Sequence, residues 1–245
     1  MVIDTGMPTH YFSDVVASFS GLIDVIKLGW GTSLVTDDLK YKIDALKDAH
    51  VDYYFGGTLF EKFVSQGRYD DWRRFVDRFD CRHVEISNGT IALTNSDKAE
   101  YIRRTAPDYT VLSEVGYKES ERSETMKSVD WIEYINEDIA AGASKVITEA
   151  RESGKSGICR PNGELRTDLI DCIAESGIDI DMLIFEAPNK DLQITLIRRF
   201  GANVNLGNIA ATDVVALETL RLGLRGDTLL DWDESADLAA AARHA

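Results

Sequence analysis

The chain has 245 residues, of which 27 are basic and 42 acidic, giving a formal net charge of −15. One barrel domain typically needs about 250 residues, and this negative charge argues against a nucleic-acid partner because phosphate backbones would be repelled. Hydrophobic residues make up 44% of the sequence, no run approaches the roughly 18 apolar residues of a membrane span, and the first residues lack a secretory signal, so we expect a cytoplasmic protein without a membrane partner.

Cysteine and histidine residues do not form a recognisable metal motif. Cys81, Cys159 and Cys172 lack metal-ligand spacing, and an odd number cannot all pair within the chain, which favours a reducing compartment. The four histidines also show no ligand spacing. The sequence therefore gives no indication of a zinc site.

Short β-branched or apolar runs recur at intervals of about 25 to 40 residues and predict eight strands. The predicted strands are Val2–Asp4, Ile23–Leu28, Asp52–Phe55, His83–Ser87, Thr110–Val115, Lys145–Glu149, Met182–Glu186 and Asn203–Leu206. Segments with helical spacing lie between them. The predicted helices include Asp37–Ala49, Tyr69–Phe79, Ser96–Ala106, Val129–Ala141, Leu165–Glu175, Asp191–Phe200 and Thr212–Leu222.

Regular alternation of strands and helices requires parallel strands joined by right-handed crossovers. Eight repeats favour an α/β fold with a single (β/α)8 TIM barrel over residues 1–230, and an open doubly wound sheet is the alternative. Residues 231–245 are rich in Asp and Ala and predict an extra terminal helix or a frayed end.

Polar residues stand near the carboxyl ends of most predicted strands, where a barrel has its active site. They are Asp4, Lys27, Glu85, Glu114, Glu149, Glu186 and Asn205. Carboxylates that point into one space repel each other unless cations neutralise them or some are protonated. Magnesium prefers oxygen ligands. We therefore predict a magnesium site whose ligands are Glu85, Glu114, Glu149 and Glu186.

Cationic residues share this predicted rim and indicate a small anionic substrate. Lys27 lies near the end of the second strand, Lys118 follows the fifth and Arg151 follows the sixth. Pairing with the carboxylates is the alternative explanation for them. Gly207 and Asn208 precede the last predicted helix and could present backbone N–H groups to a phosphate, or could form an ordinary turn.

Several loop sequences become specific when they are taken together and in order. They are Lys27 to Ser33, Gly56 to Glu61, Val84 to Ser87, Glu114 to Gly116, Glu149 to Gly154, Phe185 to Pro188, Asn205 with its neighbours, and Leu224 to Thr228. This ordered set resembles the phosphosulfolactate synthase family over Val2 to about Thr228. The resemblance implies a magnesium-dependent carbon–sulfur lyase that adds sulfite to phosphoenolpyruvate, giving (2R)-phospho-3-sulfolactate on the route to coenzyme M or other sulfonates.

The resemblance also implies roles for individual residues. Lys118 is the expected acid that protonates C2, and Lys27, Arg151 and Arg225 are expected to hold phosphate and sulfite. The predicted substrate-binding set is Arg225, Asn205, Gly207, Asn208 and Ser87. Burial or neighbouring cations would lower the pKa of Lys118 while the carboxylates would raise it, and the sequence leaves this balance open. We expect a homo-oligomer.

The chain departs from the family pattern at two positions. The pattern commonly has Asp-Lys-Gly after the first strand and Gly-Lys-Lys after the fifth, whereas this chain has Thr5 and Tyr117 in place of lysine. These departures leave two alternatives to sulfite addition. One is the same barrel and enolate chemistry with another nucleophile or enol acid, and the other is a noncatalytic relative.

Overall fold

A computed structural model describes residues 1–231, and its named strands form exclusively parallel ladders. The strands are β1 (Val2–Asp4), β2 (Val25–Leu28), β3 (Asp52–Phe55), β4 (His83–Ile86), β5 (Thr110–Val115), β6 (Lys145–Thr148), β7 (Leu183–Glu186), β8 (Leu206–Gly207) and β9 (Ile209–Ala210). Most strand residues are buried, because helices cover one side of each strand and the barrel interior covers the other.

Helices separate the strands from β1 to β8, and only Asn208 separates β8 from β9. The helices are α1 (Thr9–Phe19), α2 (Leu39–Asp48), α3 (Gly57–Val64), α4 (Tyr69–Arg78), α5 (Asn95–Thr105), α6 (Ser120–Thr125), α7 (Ser128–Ala141), α8 (Thr167–Glu175), α9 (Lys190–Phe200) and α10 (Val214–Arg221). The seven predicted helices are confirmed with shifts of a few residues at their ends. Three further helices, α1, α3 and α6, were not among those predicted.

The last stretch of strand joins the two halves of the sheet. The ladders give the orders β3-β2-β1-β9 and β4-β5-β6-β7-β8. Glu186 on β7 pairs with Gly207, and Val2 on β1 pairs with Ile209, so one stretch of backbone serves both sides. The predicted eighth strand, Asn203–Leu206, is wrong in its bounds, because Gly207 continues the strand instead of starting a turn.

The opposite seam, between β3 and β4, lacks a backbone ladder in residues 1–231. Side chains cross it instead: the Cys81 thiol donates to the carbonyl of Tyr53 at 3.1 Å, and the Gly57 amide donates to Glu85 Oε1 at 2.6 Å. The predicted (β/α)8 barrel is therefore confirmed, with its backbone hydrogen bonding interrupted at this one seam. Its predicted extent, residues 1–230, stays a prediction.

Two ion pairs are fully buried between helices and strands. Lys42 on α2 contacts Asp4 at 2.6 Å, and Lys98 on α5 contacts Asp138 on α7 at 2.6 Å. Lys98 also donates to the backbone carbonyl of Glu114 at 2.8 Å. Each pair ties a helix to the layer beneath it, since a buried charge is stable only beside its partner.

The predicted tail, residues 231–245, lies outside the described residues except for Asp231. Its carboxylate contacts Arg198 on α9 at 2.7 Å. Among residues 1–231, every helix is too short or too polar to cross a bilayer.

Candidate active site

Six charged residues meet where the strands reach their carboxyl ends. This mouth cluster consists of Lys27, Glu85, Glu114, Lys118, Glu149 and Glu186. They come from β2, β4, β5, the loop after β5, the first position after β6, and β7. Five of them are nearly inaccessible to solvent, and the Lys118 side chain is 27% exposed. The sequence prediction that strand-end charges converge on one space is correct for these residues.

Lys27 lies in the middle of the cluster and contacts three carboxylates. Its Nζ is 3.0 Å from Glu85, 3.5 Å from Glu114 and 3.6 Å from Glu186. Burial alone would lower the pKa of Lys27, but the carboxylates, Glu85 foremost, outweigh burial and raise it well above its ordinary value. Lys27 is therefore a fixed cation that pairs with the carboxylates, and the anion-binding role expected for it stays a prediction.

Lys118 is the more accessible of the two ammonium groups. Its Nζ lies 3.5 Å from Glu114, 3.9 Å from Glu149 and 3.4 Å from the hydroxyl of Thr58 on α3. Burial would lower the pKa of Lys118, yet Glu114 and Glu149 reverse that effect and raise the pKa. The carboxylates therefore decide the balance that the sequence left open.

Glu114 and Glu149 are neighbours with opposite pKa shifts. Burial would raise the pKa of Glu114, but Lys118 and Lys27 outweigh burial and lower it to about 2. Burial, reinforced by Glu186 and Glu114, raises the pKa of Glu149 well above its ordinary value. Both oxygens of Glu114 and Oε2 of Glu149 are buried and lack a hydrogen-bond donor among the described residues. Such oxygens are costly to leave unsatisfied and point to a ligand or a proton.

Glu85 and Glu186 are fixed by donors of the protein itself. The amide of Gly57 donates to Glu85 Oε1 at 2.6 Å. Ala150 N donates to Glu186 Oε2 at 2.9 Å, and the Asn208 side chain donates to Oε1 at 2.5 Å. Burial raises the pKa of Glu85, although Lys27 opposes that shift. Both oxygens of Glu186 are therefore occupied, whereas Glu85 Oε2 lacks a hydrogen-bond donor in the described chain and lies 3.0 Å from Lys27 Nζ.

The predicted four-glutamate magnesium site is not assembled as a ready-made ligand set. In the described part of the chain, no group of three or more His, Cys, Asp or Glu side chains is arranged to hold a metal ion. The positive charges of Lys27 and Lys118 neutralise two of the four carboxylates. From the sequence, this neutralisation was expected to come from the metal. Two negative charges stay unbalanced if all four carboxylates ionise. The unsatisfied oxygens of Glu114 and Glu149 fit a hard cation held by one or two protein carboxylates, as magnesium commonly is.

Arg151 lies on the outer edge of the mouth cluster. Its Nη1 donates to the carbonyl of Lys118 at 3.2 Å, and its amide donates to Glu149 Oε1 at 2.5 Å. The side chain is 47% exposed, so it is accessible to an anion that enters from solvent. The predicted position of Arg151 at the rim agrees with this geometry.

Ser87 reaches the mouth but is bound to a carboxylate that the sequence analysis overlooked. Its hydroxyl donates to Glu61 Oε1 at 2.6 Å, and the amide of Thr90 donates to Glu61 Oε2 at 3.0 Å. Glu61 is 2% exposed. It was missed because it lies on α3, an unpredicted helix, although it ends the Gly56 to Glu61 motif, which could have indicated it.

One predicted substrate-binding residue, Asn205, lies away from the mouth. Asn205 Nδ2 donates to the carbonyls of Asp181 and Leu183 at 3.0 Å, at the start of β7 and thus at the opposite end of the barrel. Arg225 follows the end of α10, where its carbonyl accepts from the amide of Thr228. The prediction for Asn205 is wrong because Asn205 precedes the strand that it was expected to end. The binding role of Arg225 stays a prediction.

Gly207 and Asn208 also differ from the prediction. Gly207 is a strand residue whose carbonyl accepts from Ala187 N, and a Cβ there would lie 2.6 Å from Met1 Cε. Its small size serves packing inside the barrel. Asn208 reaches the mouth through its side chain, which is bound to Glu186, and α10 begins only at Val214. The expected phosphate site at a helix N-terminus directly after these residues is therefore wrong.

A cavity in the described chain lies at the other end of the barrel. It measures about 780 Å³ and is lined by the start of several strands, including Val2, Val25, Asp52 and His83. No mouth-cluster residue lines it. This cavity is therefore separate from the buried charges at the mouth.

Comparison with known proteins places these charges in a family. The family model for (2R)-phospho-3-sulfolactate synthase (ComA) matches residues 1–227. The chain belongs to the phosphosulfolactate synthase family. It is 53% identical over 228 residues to the phosphosulfolactate synthase of Bacillus subtilis, covering 93% of this chain and 90% of that protein. The family resemblance stated from the loop motifs is thus confirmed.

More distant phosphosulfolactate synthases support the same assignment. Identity to that of Methanocaldococcus jannaschii is 40% over 93% of this chain and 92% of that protein. Among solved structures, 3-hexulose-6-phosphate synthase is 16% identical with a TM-score of 0.52, covering 91% of this chain and 95% of that chain. A thiamine phosphate pyrophosphorylase from Pyrococcus furiosus is 11% identical with a TM-score of 0.53, covering 90% and 92%. The likeness to these solved structures supports the barrel fold alone.

Proposed function

We propose that the mouth cluster catalyses the magnesium-dependent addition of sulfite to phosphoenolpyruvate, giving (2R)-phospho-3-sulfolactate, which makes the protein a carbon–sulfur lyase. The family assignment supports the product. The observation that carries the chemistry is the buried cluster itself, in which Glu114 and Glu149 keep unsatisfied oxygens beside the accessible ammonium of Lys118. A protein without catalytic or binding needs gains nothing from opposed charges buried this way.

The proposed reaction forms one carbon–sulfur bond and one carbon–hydrogen bond. The sulfur lone pair of sulfite attacks C3 of phosphoenolpyruvate, the double-bond electrons move toward C2 and the carboxylate, and a proton then reaches C2. Lys118 is the proposed acid, because it is charged, close to the solvent opening and held by Thr58 and two carboxylates. Arg151 is placed to contact an anionic group of the substrate at the rim.

Glu114 and Glu149 are the residues proposed to hold magnesium. Both oxygens of Glu114 and Oε2 of Glu149 lack donors in the described chain. Both oxygens of Glu186 accept from Ala150 and Asn208, and Glu85 has one oxygen on the Gly57 amide and the other 3.0 Å from Lys27. A magnesium ion there would stabilise the negative charge that develops on the substrate carboxylate. Lys27 would keep its position among Glu85, Glu114 and Glu186 and hold those carboxylates together.

The direct test uses purified protein with phosphoenolpyruvate, magnesium and sulfite. We expect loss of phosphoenolpyruvate that depends on sulfite, with a product whose mass equals the sum of the two reactants. Sulfate is the matched control, because its sulfur has no lone pair to attack C3. Loss of phosphoenolpyruvate with another nucleophile, but not with sulfite, would favour the alternative reaction instead.

Removal of the metal is a second arm of the same test. Treatment with EDTA should abolish turnover, and added magnesium or manganese should restore it. Full activity of the metal-free protein would refute the role proposed for Glu114 and Glu149 while leaving sulfite addition intact.

A further inference from the structure

Glu61 is a buried carboxylate at the mouth that the proposed reaction does not use. It lies on α3, is 2% exposed, and has a donor on each oxygen: the Ser87 hydroxyl at 2.6 Å and the Thr90 amide at 3.0 Å. A carboxylate at this depth is stable because such donors replace its water. With both oxygens occupied, Glu61 is poorly suited to exchange protons with a substrate. Its contacts with Ser87 and Thr90 point to a role in holding these two residues.

The two donors belong to the loop that follows β4, residues 87–90. This loop contacts Lys118 directly, since the carbonyl of Gly89 accepts the Lys118 amide at 3.3 Å. A Cβ on Gly89 would lie 3.2 Å from the carbonyl oxygen of Gly116 and 3.5 Å from Lys118 Cγ. The loop therefore packs against the Lys118 backbone, and its position determines where that backbone lies.

The helix that carries Glu61 also contacts the side chain of Lys118. Thr58 is three residues before Glu61 and thus near the same face of α3. Its hydroxyl is 3.4 Å from Lys118 Nζ. The start of α3 is pressed against the mouth, because a Cβ on Gly57 would lie 2.3 Å from Ser87 Oγ and 2.5 Å from Glu85 Oε1. One helix thus holds the ammonium through Thr58 and the neighbouring backbone through Glu61.

We infer that Glu61 is a positioning residue for Lys118: it fastens the 87–90 loop to α3, so that the backbone and the ammonium of Lys118 are held from one rigid element. The inference rests on the proposed function, since it gives Lys118 a reason to be held. An acid must lie within hydrogen-bond reach of the atom that it protonates, and a displacement of about 1 Å can cost on the order of 100-fold in rate.

Glu61→Gln tests this with little change in volume. The amide keeps one acceptor oxygen for the Thr90 amide but replaces the other with an N–H₂ group. The charge-assisted bond from Ser87 is lost, and only a weaker, neutral bond with the hydroxyl as acceptor can take its place. We expect kcat to fall by about 10- to 100-fold, with the KM for phosphoenolpyruvate changed by less than about 3-fold, because positioning of the acid affects the chemical step and not binding. An unchanged kcat would overturn the inference.

Glu137→Gln is the matched control. Glu137 on α7 also joins two helices, accepting from the Asn95 side chain on α5 at 2.7 Å, but it lies outside the mouth. We expect Glu137→Gln to leave kcat unchanged. If the two variants lose activity equally, the effect of Glu61→Gln reflects general loosening of the fold and the inference fails.

The Lys118→Met background separates positioning from a general structural role. If Glu61 acts through Lys118, adding Glu61→Gln to Lys118→Met should lower kcat by less than about 2-fold further, because coupled residues are not additive. A further loss as large as in the native background would contradict the inference. A native rate for Lys118→Met itself would instead overturn the proposed role of Lys118, an outcome distinct from failure of the Glu61 arm alone.

Discussion

The mouth cluster and the two buried ion pairs contain the same kinds of residue, but they are balanced differently. Asp4 with Lys42 and Asp138 with Lys98 are one-to-one pairs at 2.6 Å. Asp4 also accepts from the amides of Gly6 and Met7. In the mouth, four glutamates share two lysines, and four of their buried oxygens lack a hydrogen-bond donor in the described chain.

This difference distinguishes charges that stabilise the fold from charges that we propose bind a ligand. A balanced buried pair adds little net stability but is costly to break, because one charge is then left alone. An unbalanced cluster is costly as it stands, and that cost is recovered when a cation or a substrate binds. Burial of a charge therefore does not by itself indicate function, and the surplus in the mouth does.

Lys118→Met should give the largest effect on activity. General acid catalysis contributes about 10²- to 10⁴-fold in rate, so kcat should fall by that order while the protein stays folded. Steady-state kinetics and a thermal melt measure the two quantities together. Lys190→Met is the control, because Lys190 is an exposed lysine that pairs with Asp227. A native kcat would show that Lys118 is not the acid that protonates C2.

Lys98→Met should show the opposite pattern, with loss of stability as its first effect. Removing one partner of a buried pair typically costs about 3 to 5 kcal/mol. The raised pKa of Asp138, due to burial, lets this carboxyl take up a proton and places the expected loss near the lower figure. Denaturant unfolding at neutral pH measures it. An unfolding free energy equal to that of the native protein would break the distinction between balanced and unbalanced charges.

Arg151→Lys should weaken substrate binding despite conserving the charge. The guanidinium presents several N–H groups in one plane, of which one already donates to Lys118, whereas an ammonium would offer a single point of contact. We expect kcat/KM to fall by an amount equivalent to a loss of about 1 to 3 kcal/mol in transition-state stabilisation. Arg160→Lys, at an exposed arginine that pairs with Asp168, should have no effect. Equal kinetics for both variants would make Arg151 a structural residue.

The smallest expected effect is on stability: in EDTA, Glu149→Gln should stabilise the protein. Because the folded-state pKa of Glu149 is raised by burial, ionising it costs stability at every pH above the unfolded value of about 4.3. The neutral amide removes this cost. The gain should appear as the pH rises above 4 and vanish in more acidic solution. A destabilised variant at pH 7 would contradict the surplus-charge account.

The barrel and most of the mouth could be predicted from the sequence. Alternating apolar runs and helical segments determine a parallel α/β fold, and the carboxyl ends of parallel strands meet at one face, so Glu85, Glu114 and Glu186 had to converge. Arg151 and Lys118 follow strands directly and could be placed by the same rule. The position of each of these residues depends only on where one strand ends, and that end is easier to predict when the strand is long.

The remaining residues depended on information that periodicity does not contain. Asn205 was expected at the carboxyl end of the eighth strand because that strand was predicted over Asn203–Leu206. The strand instead begins at Leu206 and continues to Gly207, so Asn205 precedes it. Glu61 was missed because α3 has only eight residues, from Gly57 to Val64, too few for a clear helical pattern. Lys27 and Lys118 neutralise part of the negative charge of the four glutamates. This pairing depends on distances across the barrel, and the local sequence does not contain those distances.

The most direct test of the central claim, that the mouth adds sulfite and delivers a proton to C2, is the reaction run in heavy water. An ammonium exchanges its protons with solvent before it acts, so a lysine acid transfers deuterium to C2. We predict a product that carries one deuterium at C2 and is a single enantiomer. A product without deuterium at C2, or no sulfite adduct at all, would contradict the account.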